Sequence, residues 1–396
     1  MSCGKWPTEA ASSSMSLARR IMAFILGLAC MSVFALGALA QDPQKPAVPQ
    51  PVKTMFPSQP GVEVVRSREF GSTTFNVGDS VQVMVDNRTT GSIKVTGWDR
   101  DVISARAFSE RGDEVVILER KTDGRQNNIF LKADYADLES PDHTTRVLDL
   151  PPVREDGPIQ IQLEVSLPRK AMIGGIRVIR SNVVVENVDT LLTISGAQSS
   201  IVLRHVGPVE VHTRSGNIDI EDARGLVNVT TASGAIRLLG PKAEVRALSI
   251  VGPIEIRCAR GHVNVANTDA PIDIYDSTAD IDAVAANSSV RFIGALQEGR
   301  RYFLKTMSGR VEMILPANTR GFKATLTSYN GIVESDFPIL SKQTQGNAHA
   351  VKEGDKESFR RINGQYGNSK TEIILDSFEG LVRVTKNSGQ AAANCK

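Results

Sequence analysis

A short pattern of apolar and polar residues returns every 18 positions through the middle of the chain. In each copy a small turn residue precedes two apolar residues that flank one polar residue, as in SGNIDI at 215–220. The turn position is occupied in successive copies by Gly216, Gly234, Gly252, Ala270 and Ser288. A fixed period of this size is typical of proteins built from stacked repeats. The pattern therefore predicts a solenoid.

Each period divides into two halves, because another apolar pair stands nine residues before each pair of this pattern. Alternation over such short runs predicts half-buried strands, and the runs are too short and too β-branched for a helix. One repeat is then strand, turn, strand, turn. Since two strands alone cannot bury an apolar face, the repeats must stack and bury equivalent residues together. The prediction that tests this is one internal row formed by Ile218, Ile236, Ile254 and Ile272.

The fold class that follows is all-β: a single-chain β-solenoid with rungs of about 18 residues, capped by an antiparallel N-terminal β segment. Val184 and Val202 stand where later rungs carry polar outer residues, so we expect the N-terminal segment to cover them. Trp98 is expected to be a core aromatic of that segment. Irregular stretches at 134–158 and 340–367 predict long loops. The predicted boundaries are 1–40 for a signal peptide, 41–60 for a Pro-rich linker, 61–170 for the N-terminal β segment, 171–386 for the solenoid and 387–396 for a tail.

The first 40 residues have the features of an export signal, with Arg19 and Arg20 before an apolar run that ends in Ala38-Leu39-Ala40. An uncleaved membrane anchor is the alternative, but the cut site favours cleavage and no stable membrane insertion afterwards. The leader holds three of the 46 basic and one of the 44 acidic residues, which leaves 43 of each. A neutral mature chain argues against nucleic acid as a partner. We expect an exported protein of the periplasm, the cell surface or the extracellular space.

The polar residues between the apolar pairs are expected to line the outside of the stack, where charges of opposite sign are mostly neighbours. A solvated outer face explains most of them, and a charged track for a ligand is the alternative. Beyond Phe292 the period lengthens, and the added residues include 294–301. Insertions of this kind often form binding loops. The candidate binding residues are therefore Arg300 and Arg301 in the insertion and Arg237 and Arg246 on the outer face.

Several phrases resemble a known family: VQVMVDNRTTGSIKVTGWDRDVISARA, RSGNIDIEDARGLVNVTTASGAIRL and MSGRVEMILPANTRGFKATLTSYNGIVESDFP. They are similar to the bacterial "putative-adhesin" domain of unknown function, a relative of the GIN-type β-helix domains. The resemblance covers about residues 81–386. It implies a right-handed β-solenoid on an exported protein, and it brings no catalytic residue with it.

Residues that could carry chemistry are few. The five histidines have no metal-ligand spacing, and three of them, at 205, 212 and 262, are expected on the surface. The turns lack the carboxylates of calcium-binding β-rolls, so no metal and no cofactor are expected. Two cysteines, Cys258 and Cys395, remain after cleavage and predict no structural disulfide. The densest acidic cluster spans 269–282 and includes Asp273 and Asp282.

The leading hypothesis is a non-enzymatic protein of the cell envelope, either an adhesin-like binding surface for an unknown protein or glycan or a structural scaffold. A solenoid-type polysaccharide lyase or hydrolase that uses Asp273 and Asp282 is the first alternative. An accessory protein of envelope signalling is the second.

Overall fold

The structure is a computed structural model that describes residues 68–76, 81–109, 114–123, 126–135, 160–345, 360–387 and 395. The predicted signal peptide and Pro-rich linker lie outside these residues, as do most of the predicted loop at 134–158 and most of the tail. The described ranges contain strands and turns but no helix, and all belong to one compact unit, Ser67–Lys396. The all-β prediction is confirmed.

The N-terminal strands precede the regular repeats and are linked mainly by antiparallel pairing. They are β1 (Arg68–Asn76), β2 (Val81–Trp98), β3 (Val102–Ser109), β4 (Glu114–Asp123), β5 (Gln126–Tyr135) and β6 (Gln160–Pro168). The pairs β1–β3, β3–β6 and β4–β5 are antiparallel, whereas β2 pairs in parallel with β5, β6 and the next strand.

The repeat region consists of short strands that pair in parallel with the equivalent strands of neighbouring rungs. They are β7 (Met172–Glu186), β8 (Leu192–Gln198), β9 (Ile201–Arg204), β10 (Val209–Ser215), β11 (Ile218–Glu221), β12 (Val227–Ser233), β13 (Ile236–Leu239), β14 (Val245–Ser249), β15 (Ile254–Arg257), β16 (Val263–Asn267), β17 (Ile272–Tyr275), β18 (Ile281–Ala285), β19 (Val290–Ile293), β20 (Arg301–Ser308), β21 (Val311–Pro316), β22 (Gly321–Asn330) and β23 (Val333–Ser335). The chain ends in β24 (Leu340–Gln345), β25 (Arg360–Gly367), β26 (Glu372–Glu379) and β27 (Val382–Asn387).

Two stacks of strands form the walls of the solenoid. The first stack runs β5, β2, β7, β8, β10, β12, β14, β16, β18, β20, β26, β22, with the first half of β2 and of β7 contributing. The second stack contains the second halves of β2 and β7. Its order is β6, β2, β7, β9, β11, β13, β15, β17, β19, β21, β27, β23. The apolar residues of both stacks meet in one continuous core.

The predicted internal row of isoleucines is confirmed. Ile218 pairs with Ile236, Ile236 with Ile254 and Ile254 with Ile272, and all four side chains are at most 1% exposed. Burying a side chain of this size stabilises a fold by roughly 1.5–3 kcal/mol before conformational entropy is subtracted. The period of 18 in the sequence is therefore the length of one turn of the solenoid.

The N-terminal strands cap one end of the solenoid, as expected, but not in the predicted place. β2 hydrogen-bonds along the edge of β7, so the segment extends the stacks and closes that edge. Val184 and Val202 stay half-buried on the outer face, where Lys94 is the neighbour of Val184 in the sheet. The prediction that the segment covers these two valines is wrong, because the contact is edge to edge.

Two further expectations are wrong. The tract 340–367 is not a loop at its two ends, because β25 pairs antiparallel with β22 and with β24. Its middle, 346–359, lies outside the described residues. Trp98 is half-buried at the end of β2, where its indole Nε1 donates to the Val102 carbonyl at 2.8 Å and the Arg100 guanidinium lies 5.1 Å from the ring centre. The ring therefore packs at the surface instead of in the core.

A disulfide joins Cys258 to Cys395, with the Cα atoms 5.5 Å apart, so the prediction of no structural disulfide is wrong. Cys258 stands at the turn after β15 with a φ of 57°. The equivalent turn position in other rungs holds Asn187, His205, Asp222 and Asp276, also at positive φ. A count of cysteines gave no information on which turn would meet the end of the chain.

Candidate functional site

The predicted insertion-loop arginines lie together at the start of β20. Arg300 Nη1 is 3.3 Å from Asp280 Oδ2, and the Arg301 guanidinium is 3.1 Å from Asp282 Oδ1 and 4.0 Å from Glu372 Oε2. The backbone N–H of Arg301 also donates to Asp280 at 2.8 Å. About half of each arginine side chain is exposed. Both guanidinium groups are therefore accessible, and both already have carboxylate partners within the chain.

His262 completes this cluster, because its Nε2 lies 3.0 Å from Asp282 Oδ2. This hydrogen bond raises the pKa of His262, and the charges of Asp282, Glu244 and Asp280 act in the same direction against the effect of burial. Burial alone would raise the pKa of Asp282, but His262 and Arg301 together outweigh it and lower that pKa. The carboxylate of Asp282 is therefore held between the Arg301 guanidinium and the His262 ring.

The other two predicted binding arginines do not join this cluster. Arg237 lies on the outer face of the second stack, 3.4 Å from Asp219. Arg246 lies on the outer face of the first stack, 2.7 Å from Glu244. Along the sheet it is the neighbour of Asn264, and Asn264 is the neighbour of Asp282, so two strand spacings separate Arg246 from Asp282. The four arginines therefore occupy three places and do not form one binding track.

The acids of the enzyme alternative are also apart. Asp273 belongs to β17 in the second stack, and its carboxylate accepts from Arg291 Nε at 2.9 Å. Asp282 belongs to β18 in the first stack and is held by His262 and Arg301. Because the two side chains stand on the outer faces of different stacks, with the core between them, they cannot act on one glycosidic bond.

A row of exposed apolar side chains near the C-terminal end was not predicted from the sequence. Met307 on β20, Phe378 on β26 and Tyr329 on β22 occupy the last outward positions before the turns of three neighbouring strands. With Ile332 in the turn that follows Tyr329, their exposed fractions are 37–45%. We call Met307, Phe378, Tyr329 and Ile332 the apolar corner.

The apolar corner has a defined geometry, because strand register fixes the order of its side chains. Phe378 stands between Met307 and Tyr329, and the Phe378 and Tyr329 ring centres are 5.6 Å apart. The next residues along these strands, Ser308, Glu379 and Asn330, are exposed and polar. The surface is therefore an apolar strip beside a polar margin. Such a strip could be found from the sequence only if the neighbours of β26 were known.

The described residues contain no group of three or more His, Cys, Asp or Glu side chains placed to hold a metal ion. Among them there is also no helix long and apolar enough to cross a membrane. The surface histidines are as predicted, since His205, His212 and His262 are all exposed. Each lies within 3.3 Å of a carboxylate oxygen.

Comparisons with known proteins add little to this geometry. No family model matches the chain, and no curated protein matches it. A solved structure described as a "putative cell adhesion protein", from Clostridium sporogenes, is similar over 81% of this chain and 100% of its own, with 10% identity and a TM-score of 0.20. A TM-score this low carries no argument about this chain. The resemblance to the adhesin family therefore stays a prediction.

Proposed function

We propose that this chain is an exported, non-enzymatic protein of the cell envelope that binds a protein partner through the apolar corner. The observation that carries the proposal is the alignment of Met307, Phe378 and Tyr329 on three hydrogen-bonded strands, each with more than a third of its surface exposed. Contiguous exposed apolar side chains with a polar margin are typical of protein interaction sites. Aromatic residues and methionine are the types enriched there.

The solenoid supports this function by holding the corner rigid. Backbone pairing on both sides of β26 fixes Phe378, and the Ser377 side chain just before it donates from Oγ to the Gly309 carbonyl at 3.1 Å. Side chains that are already ordered lose little conformational entropy on binding. A partner can therefore gain contact area here at a low ordering cost.

Export rests on two independent features. The first is the predicted leader, and the second is the disulfide between Cys258 and Cys395. Disulfides form and persist in the periplasm and outside the cell and are rare in a reducing cytosol. Both features support a protein that works beyond the inner membrane.

The experiment compares capture of envelope proteins by the immobilised wild-type protein and by matched variants. We expect Phe378→Ser with Tyr329→Ser to lower the captured amount at least about tenfold, as for the central residues of an interface. Val251→Ser is the control, because Val251 is exposed in a regular rung away from the corner.

Other outcomes assign the function differently. If Arg300→Ala with Arg301→Ala abolishes capture and the corner variant does not, the contact belongs to the insertion loop. Binding on a glycan array that needs the same corner side chains would make the partner a glycan. Turnover of acidic polysaccharides that is lost in Asp273→Asn or Asp282→Asn would contradict a non-enzymatic role.

A further inference from the structure

The C-terminal rung does not stack where its place in the chain would put it. β20–β21 and β22–β23 follow one another in sequence, yet they are not neighbours in either stack. β26 lies between β20 and β22, and β27 lies between β21 and β23, parallel to both neighbours in each case. The last rung of the chain therefore fills a slot between two rungs that precede it.

The upstream wall of the slot pairs with the whole inserted rung. Residues 301–308 of β20 pair with 372–379, and 311–316 of β21 pair with 382–387. Four inward side chains of the inserted rung are 0% exposed: Ile373, Leu375, Val382 and Val384. The inserted rung is thus a full part of the core.

The downstream wall fits as closely. Residues 323–330 of β22 and 333–335 of β23 pair with the other edge of the same rung. A Cβ on Gly380 would lie 2.0 Å from the Gly309 carbonyl oxygen, and a Cβ on Gly331 would lie 2.0 Å from that of Gly380. The three turns are therefore stacked with no room for a side chain between them.

The outer faces of slot and rung also match in charge. Arg383 lies between Glu312 and Glu334 in one row, and its Nε donates to Glu334 at 2.8 Å. Lys305 of the upstream wall is 3.2 Å from Asp376 of the inserted rung. The slot therefore recognises this segment by register, shape and charge.

We propose that the slot also accepts β26–β27 from a second copy of this chain, so that two copies exchange their C-terminal rungs. Every contact described above joins the rung to the walls of the slot, and all of these contacts are the same when the rung comes from a partner. Only the connection between β25 and β26, residues 368–371, must take a new path. Domain swapping exchanges an identical element between two copies and is a low-cost route to dimers.

The disulfide partner of Cys395 shows which chain supplied the rung. Cys258 lies in the same row across the strands as Lys386, the next-to-last residue of β27. The row runs from Lys386 through Leu315, Gly294 and Asp276 to Cys258, so four strand spacings, or about 19 Å, separate Lys386 from Cys258. In a monomer Cys395 bonds to Cys258 of its own chain. In an exchanged dimer Cys395 bonds to Cys258 of the partner, and the two disulfides join the copies covalently.

The test uses the whole purified protein, unlabelled and heavy-isotope-labelled, mixed in equal amounts. The mixture is unfolded with a reducing agent and refolded at low and high protein concentration with oxidised glutathione. Each pair of thiols then loses two electrons and two protons to one glutathione disulfide, which becomes two glutathione thiols. Non-reducing electrophoresis measures covalent dimers, and mass spectrometry identifies the peptides that contain the bond from Cys258 to Cys395.

The expected result is a dimer fraction that rises severalfold with concentration, in which peptides joining a labelled to an unlabelled chain are as frequent as unmixed ones. Monomer at every concentration would overturn the proposal. A dimer whose Cys258–Cys395 peptides are never mixed would overturn it too, since the copies would then meet through another surface.

A variant that releases the connection tests the proposal without changing the rung. Glu298 accepts hydrogen bonds from Ser369 Oγ and from the Lys370 N–H, both at 2.9 Å, and so holds the connection in its present path. Glu298→Ala is expected to raise the dimer fraction severalfold. Glu244→Ala, which removes a half-buried carboxylate paired with Arg246 in a regular rung, should leave the dimer fraction unchanged. Equal dimer fractions in the two variants would contradict the assigned connection.

Discussion

The regular rungs from β10 to β19 and the C-terminal end from β20 to β27 use the same repeat pattern in different ways. In the regular rungs a residue pairs with the residue 18 positions later, as Val227 does with Val245. At the C-terminal end Val311 pairs with Val382, and 71 positions separate them. The pattern of a turn glycine and an alternating strand therefore determines the register between strands and which side chains point inward. It does not determine which rung lies next to which.

The difference affects the order in which the rungs can form during folding. Closing a loop costs more entropy as the loop lengthens, so contacts between adjacent rungs can form in succession along the chain. The inserted rung must instead find a slot whose two walls are already made. We therefore expect the regular rungs to be the more stable region and the C-terminal end to open first.

The largest predicted effect comes from core substitutions placed in each region. Ile254→Ala in a regular rung and Ile373→Ala in the inserted rung both remove buried methyl groups, and each should lower the free energy of unfolding by about 2–5 kcal/mol. Ile254→Ala should shift the main denaturant transition. Ile373→Ala should instead produce an early transition confined to the C-terminal strands.

Hydrogen exchange measured with each variant distinguishes the two cases. Faster exchange in β20–β27 alone is expected for Ile373→Ala. If exchange accelerates equally through both regions, the solenoid unfolds as one unit and the comparison fails.

The next effect in size is that of the disulfide. Cys395→Ser removes a link between a regular rung and the chain end, across a sequence separation of 137. Loss of a native disulfide typically costs about 2–4 kcal/mol, chiefly because the unfolded chain becomes freer. Thermal unfolding of the variant beside Cys258→Ser, which breaks the same bond from the other side, should give similar losses. A loss in only one of the two would show that the free cysteine, and not the bond, is responsible.

The smallest predicted effect lies at the junction of the two regions, where His262 and Arg301 both hold Asp282. The raised pKa of His262 means that its contribution to stability is complete below about pH 6.5 and is lost as the pH rises through the folded-state value. Because the ring is exposed, the contribution should stay below about 1 kcal/mol. His262→Gln should be less stable than wild type at pH 5.5, and the difference should shrink as the pH rises. A difference that does not change with pH would show that the ring acts by packing.

Much of the fold could be predicted from the residues, because each regular rung contains its own information. Ile218, Ile236, Ile254 and Ile272 specify a row by their spacing alone. A second periodic signal was present at Asn187, Asp222 and Asp276, residue types that tolerate the positive φ found at this turn. The same spacing puts Cys258 near a turn, where the structure has it.

The C-terminal end could not be predicted in the same way. The stacking of Val382 on Val311 depends on a contact between distant parts of the chain, and nothing in either segment encodes their order. The apolar corner is hidden for the same reason, since Phe378 is an ordinary strand residue until β20 and β22 flank it. The interpretation of Arg237 and Arg246 as binding residues, together with Arg300 and Arg301, remains a prediction, and the intramolecular ion pairs of all four are what a sequence cannot reveal.

The bond between Cys258 and Cys395 has a consequence for resistance to proteolysis. It closes the chain into a covalent ring that contains every peptide bond between these two residues. A protease that hydrolyses any one of those bonds opens the ring but releases no fragment, so the nicked molecule keeps its parts and can stay folded. Only a second cut, or a reductant, would let a piece diffuse away.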